Sequence, residues 1–137
     1  MDKKIKMLVI PSDRTGVGKF RSVDPHVYIA EHYSDEFDID ICYINQIPAN
    51  NAEAFFKQYD LIHIHKQLDK EMQLMNMIKF LGIPVIVDVD DYFYLGNDHP
   101  MSLSAKKEKW HEPIINHLKA ADYVSTTTPI FGKELKN

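Results

Sequence analysis

The sequence predicts an α/β fold with a mostly parallel sheet, on three observations. Short apolar runs recur along the chain, and polar or glycine-bearing loops follow them before residues at helical spacing. One of these runs, "IPVIVDV" (residues 83–89), is apolar almost throughout, as expected of a strand covered on both faces. The intervals between runs are long enough for crossover helices, and that alternation produces parallel strands with helices above and below them. The expectation is a three-layer, Rossmann-like domain spanning residues 1–137, with about five or more strands and right-handed crossovers.

Read in order, "KMLVIP" (residues 6–11) is a first strand and "SDRTGVGKF" the polar loop after it. "RSVDPHVYIAEHY" has helical spacing at Val23, Val27, Ala30 and Tyr33, with Pro25 tolerable only in a first turn. "DIDICYI" (residues 38–44) alternates and reads as a second strand, and "NAEAFFKQY" as a short helix. "DLIHIHK" (residues 60–66) is a third strand. Asp69 then stands as the N-cap of a helix with Met72, Met75, Ile78 and Leu81 on one stripe, stopped by Gly82. The methionines of that stripe are at core spacing and read as packing. "IPVIVDV" is the fourth strand, and the polar stretch "YLGNDHPMSLSA" follows it. Trp110, Ile114, Leu118 and Ala121 mark a helix that has Pro113 inside it. "DYVSTT" (residues 122–127) is a fifth strand, and Thr128-Pro129 pairs an N-cap with a proline at the first position of a last helix.

Bulk properties narrow the function classes. A length of 137 residues fits one domain. The net charge of −4, without a basic run, gives no electrostatic reason to expect nucleic acid. Lys106, Lys107 and Lys109 read as the solvated face of a helix. The single cysteine, Cys42, excludes an internal disulfide and falls in an apolar run, where an inert thiol is expected. The start is charged, Met7–Ile10 is too short for a secretory leader, and no run is long enough to cross a membrane. The expected compartment is the cytoplasm.

A parallel sheet gathers its strand-to-helix loops along one edge, where open α/β folds bind ligands. Asp13, Arg14, Gly16 and Gly18 from the first loop fall there. So do His65 and Lys66 from the third, Asp90 and Asp91 from the fourth, and Thr126 and Thr127 from the fifth. "DRTGVGKF" is not a P-loop, because Asp13 stands in place of the first glycine and Phe20 in place of the magnesium-binding hydroxyl. Nor is it a dinucleotide fingerprint, since Arg21 replaces the third glycine. Two readings of Gly16 and Gly18 stay open: a nest of backbone N–H groups for an anion, with Arg21 in reach, or glycines that merely permit the turn.

His63 and His65 point to one face of their strand and make at most a weak H-x-H metal pair, to be completed by Asp90 or Asp91. The expected arrangement is His63 packed under a helix and His65 reaching the cleft, with no metal and no cofactor. Asp88-Val89-Asp90 has the D-x-D spacing of haloacid-dehalogenase-like phosphatases, but on the fourth strand and followed by Tyr92. A response-regulator receiver fails as well, because His65-Lys66 stands where its phosphorylated aspartate belongs.

Several segments together resemble the glycosyltransferase-4-like amino-terminal domain of GT-B glycosyltransferases. "TGVGKFRSVDP" is similar to the family's opening loop and helix, and "YDLIHIHKQLD" to its third strand. "LGIPVIVDVDDYFY" is similar to its G-x-P-V-V-x-D-x-D-D strand and loop, and "AADYVSTTTPIFGKEL" to the segment after it. The ordered set runs from Lys6 to Leu135. The resemblance implies a metal-independent, retaining transferase whose donor site lies mostly on a second Rossmann-like domain. It implies a nucleotide-sugar donor and a sugar, lipid-linked or protein-glycan acceptor, with peripheral membrane contact conceivable for the full enzyme. Residues 1–137 alone are then expected to be inactive. Asp90 and Asp91 are carried over as catalytic. Gly16, Val17, Gly18, Arg21, His65, Lys66 and Tyr92 are carried over as substrate-binding, and Asp88 is expected to satisfy local backbone donors. The alternative is a non-catalytic, flavodoxin-like domain binding a small anion or a protein partner.

Overall fold

The structure, a computed structural model, describes residues 2–66, 72–91, 95–109 and 111–137. The chain forms β1 (Ile5–Ile10), α1 (Gly16–Gly18), a π-helical turn (Lys19–Val23), α2 (Asp24–His32) and β2 (Phe37–Ile41). A 3-10 turn (Ile44–Gln46), α3 (Ala52–Phe56), β3 (Leu61–His65), α4 (Gln73–Phe80) and β4 (Val85–Asp88) follow. The last elements are α5 (Ser102–Lys107), α6 (His111–Ala120), β5 (Tyr123–Ser125) and α7 (Pro129–Lys136). The five strands make one sheet in the order β2-β1-β3-β4-β5, and every neighbouring pair is parallel. The α/β, Rossmann-like expectation holds. The chain reverses its direction of travel across the sheet between β1 and β3.

Strand register sorts the side chains onto two different faces, because successive residues of a strand point to opposite sides. Leu8 pairs with Ile62 and Ile10 with Ile64, which in turn pair with Val85 and Val87. Phe56 of α3 and Met75 and Ile78 of α4 close over them in one buried cluster. On the opposite face Val9, His63 and Ile86 are in line, and one step further on His65, Asp88 and Ser125. The helical run from Gly16 to His32 lies on this second face, with the His26 ring centroid 4.5 Å from that of His63.

That helical run corrects two expectations. Val27 and Tyr33 of the predicted apolar stripe are exposed, while Gly18, Ser22 and His26 are buried. The helix packs on the polar end of the sheet, so its inward side has polar and small residues where an apolar stripe was sought. Pro25 stands in the first turn of α2, yet the helix has already begun at Gly16. The Asp24 N–H bonds the Lys19 carbonyl five residues back, a π turn. Proline lacks an N–H and its ring crowds the carbonyl four residues earlier, and a widened turn just ahead of it accommodates both.

β2 to β5 are shorter than the runs that announced them, whereas β1 keeps six residues, shifted by one. Met75 and Ile78 are fully buried as the stripe required, and Gly82 ends α4 with φ +71, a conformation other residues rarely adopt. Thr128 caps α7, its Oγ1 accepting from the Phe131 N–H at 3.1 Å. α5 was read as part of a polar stretch, and its six residues bury only Ser102 and Ala105, too little for periodicity to show. The expected cap at Asp69 and the Trp110 position lie outside the described residues.

Candidate functional site

The ends of β3, β4 and β5 set His65, Asp88 and Ser125 side by side. Asp88 is buried, and among the described residues its hydrogen-bond partners are side chains, where the sequence reading expected local backbone donors. Its Oδ2 accepts from Arg21 Nε at 3.0 Å, and its Oδ1 from Arg21 Nη2 at 2.5 Å and Ser125 Oγ at 2.6 Å. The pair is bidentate, the geometry in which guanidinium and carboxylate bind most strongly. The reason for the difference is register. Asp88 faces the helix-covered side two residues beyond Ile86, directly under the turn that carries Arg21. Both Arg21 nitrogens on that edge are therefore engaged within the protein.

Asp90 and Asp91 continue the backbone past β4. Asp90 is 10% exposed, and its Oδ1 lies 2.8 Å from Nε2 of the fully buried His65 and 3.2 Å from Lys66 Nζ. Since a carboxylate only accepts, His65 donates from Nε2. Burial raises the Asp90 carboxyl, but the His65 bond and the Lys66 charge outweigh it and hold Asp90 below the usual carboxylate range. Asp91 is 70% exposed and touches Lys66 Nζ at 3.1 Å. The structure thus joins four of the expected site residues, His65, Lys66, Asp90 and Asp91. Tyr92 lies outside the described residues.

In the first loop Asp13 occupies the helix start. Its Oδ1 accepts from the Thr15 N–H at 2.8 Å and from Thr15 Oγ1 at 2.5 Å, and its Oδ2 from Ser12 Oγ at 2.9 Å. The Thr15 hydroxyl bond, with further help from Ser12 and the Thr15 and Gly18 N–H groups, holds its carboxyl below the usual range against a modest opposing effect of burial. The Gly18 N–H, one of the donors expected to receive an external anion, therefore already meets an internal one, together with the Thr15 N–H. Gly18 is required for close approach, because a Cβ there would stand 2.2 Å from the Asp13 carbonyl oxygen. Gly16 is not so constrained; its Cβ would meet only Phe20, at 3.9 Å. Val17 is exposed. An Asp two residues before a Thr, at the mouth of a helix, was the available signal for this self-capped loop.

His63 is packed under the helix, as expected. Burial, with the His26, His65 and Arg21 charges, drives its imidazole down to about 4 in spite of Asp88. Among the described residues no group of three or more His, Cys, Asp or Glu side chains is placed to hold a metal ion. Cys42 is half-buried, and burial, then Asp40, push its thiol up and away from reactivity. No described helix is long and apolar enough to cross a membrane.

No family model matches the sequence, and no curated protein does. Among solved structures, a conserved protein from Enterococcus faecalis V583 is similar, with a TM-score of 0.50 and 15% identity over 98% of each chain. That likeness supports the α/β fold and carries nothing about chemistry.

Proposed function

We propose that residues 1–137 are the acceptor-side domain of a glycosyltransferase that moves a sugar from a nucleotide-sugar donor to an acceptor hydroxyl. The observation that carries the reading is Asp90, a carboxylate fixed at the carboxyl edge of a parallel sheet by His65 and Lys66. It joins the ordered likeness of the four sequence segments to glycosyltransferase-4-like domains. In the reaction the anomeric carbon exchanges its bond to the nucleoside diphosphate for one to the acceptor oxygen, and the acceptor loses a proton.

Asp90, held below the usual carboxylate range, is a weak base and a permanent hydrogen-bond acceptor. Its role is to orient the attacking hydroxyl, which supplies the positional part of the rate enhancement. Lys66, whose Nζ lies 3.2 Å from Asp90 and 3.1 Å from Asp91, suits the developing phosphate charge. With Asp13 in the helix mouth, this task moves from the Gly16–Gly18 amides to Lys66. Asp91, exposed beside it, suits the acceptor's neighbouring hydroxyls. On this reading the donor binds largely on a further domain, and the protein works in the cytoplasm on a sugar, lipid-linked or protein-glycan acceptor.

One observation favours a second reading. The order β2-β1-β3-β4-β5 is that of flavodoxin-like folds, which bind small anionic ligands at the β1/β3 switch point. A non-catalytic, anion-binding domain would have that architecture.

The test uses the product of the complete reading frame containing residues 1–137, a panel of nucleotide sugars and simple saccharide acceptors, and detection of released nucleoside diphosphate. Acceptor-dependent release is expected for at least one pair, with kcat lowered about 100-fold by Asp90→Asn. A folded protein without release from any donor, or normal turnover in both Asp90→Asn and Asp91→Asn, would overturn the proposal. Stoichiometric phosphate binding without turnover would support the second reading.

A further inference from the structure

Beneath the helical run from Gly16 to His32 two histidines face each other. His26 of α2 and His63 of β3 are both buried, with ring centroids 4.5 Å apart and ring planes inclined by 59°. His26 Nδ1 lies 2.7 Å from the Ser22 carbonyl oxygen, so it must carry the hydrogen and donate it. The neutral ring then has its lone pair on Nε2. His63 Nδ1 is buried without a hydrogen-bond partner among the described residues. Among the described residues neither ring has a carboxylate hydrogen-bonded to it of the kind His65 has in Asp90.

The groups around the pair give a second proton little support. Along the sheet His63 is flanked by Val9 on β1 and Ile86 on β4, which are apolar. His65 on its own strand and Arg21 from the helix disfavour a charge on His63, and His26 disfavours it more. Asp88 on β4 is the opposing anion, and it is already neutralised by Arg21. A buried cation in this position meets a desolvation cost, and among the described residues the one anion acting on His63 is Asp88, which Arg21 already engages.

We propose that the His26–His63 contact is an acid-sensitive latch: protonating the pair releases the helix Gly16–His32 from the sheet and uncovers the polar row of His65, Asp88 and Ser125. Release also withdraws Arg21 from Asp88, because the arginine travels with the helix. The latch gates the carboxyl edge whatever ligand that edge takes, so it is independent of the glycosyltransferase reading.

The test is amide hydrogen exchange, corrected for intrinsic rates, between pH 7 and pH 5 on the folded protein, together with NMR titration of the two rings. One histidine that titrates normally only in the open state makes opening about 20-fold more favourable at pH 5 than at pH 7. The expected result is a loss of protection of that size confined to residues 16–32, with β3 and α4 unchanged. His63→Leu, which keeps the space filled and removes one titrating ring, should reduce the difference to what His26 alone contributes. Uniform loss across the molecule, or an unchanged pH response in His63→Leu, would overturn the latch. Should that variant fail to fold, the wild-type titration decides. Both rings staying neutral at pH 5 with helix-selective opening supports the latch, and a His63 titrating in the folded state near 6.5 overturns it.

Discussion

The two faces of the sheet are built from the same strands and do opposite work. On one, Leu8, Ile10, Ile62, Ile64, Val85 and Val87 meet Phe56, Met75 and Ile78, and this cluster is apolar apart from the Tyr59 hydroxyl, which donates to Asp40 at 2.8 Å. On the other, His63 and Asp88 meet a helix whose buried positions are Gly18, Ser22 and His26, with His65 and Ser125 beside Asp88 in the same row. The first face gains stability from area removed from water. The second keeps polar groups that cost desolvation and return it only through bonds in good geometry. A fold that could have filled both faces with aliphatic residues keeps one of them polar.

The largest expected effect comes from opening the apolar face. Ile64→Ala, at a fully buried residue, should lower unfolding stability by about 4 kcal/mol, measured by denaturant titration. The loss should not depend on pH between 5 and 8, since the titrating groups of that cluster, Tyr59 and Cys42, are both held protonated by burial and by Asp40.

The polar face should respond to pH instead. His63 is ordinary at about 6.5 when unfolded and near 4 when folded. Above 6.5 it is neutral in both states and costs nothing. As pH falls from there toward 4, only the unfolded chain takes up the proton, so stability declines and then levels off. The decline attributable to this group is about 3 kcal/mol, read as the pH dependence of the denaturant midpoint. Asp90 adds a loss at more acidic pH, where its lowered carboxyl finally protonates.

Smaller still is the contrast between the two glycines. Gly18→Ala forces a methyl group into the Asp13 carbonyl and should cost about 2 kcal/mol. Gly16→Ala, in open space, should be neutral or slightly stabilising by about 0.5 kcal/mol, because alanine is the better helix former. Thermal melts of the pair would separate a glycine kept for packing from one that is not.

Much of this division was legible in the sequence, and the parts that were not share a physical cause. The strands, the α4 stripe, the Gly82 stop and the Thr128 cap are local signals, each carried by a few adjacent residues. So is the placement of Asp90, Asp91, His65 and Lys66, since strand ends of a parallel sheet converge on one edge. What stayed hidden needed register. That Arg21 would meet Asp88, 67 residues away in the chain, depends on which strand positions stand abreast. The inward face of the Gly16–His32 helix was misread for the same reason: apolar spacing at Val23, Val27 and Tyr33 was the only local cue, and the sheet beneath turned out to be polar. Asp13 was noticed as an obstacle to a P-loop before it could be seen as the group filling the helix mouth.

The most direct test of the two-face account replaces the Arg21–Asp88 pair by apolar residues of similar size, Arg21→Met with Asp88→Leu, and measures melting temperature beside nucleoside diphosphate release. The account predicts that each single variant is destabilised by an unpaired charge, that the double variant recovers wild-type stability or exceeds it, and that turnover falls in all three. A double variant as unstable as the singles, or one that keeps full turnover, would contradict the claim that this face holds its polar pair for function.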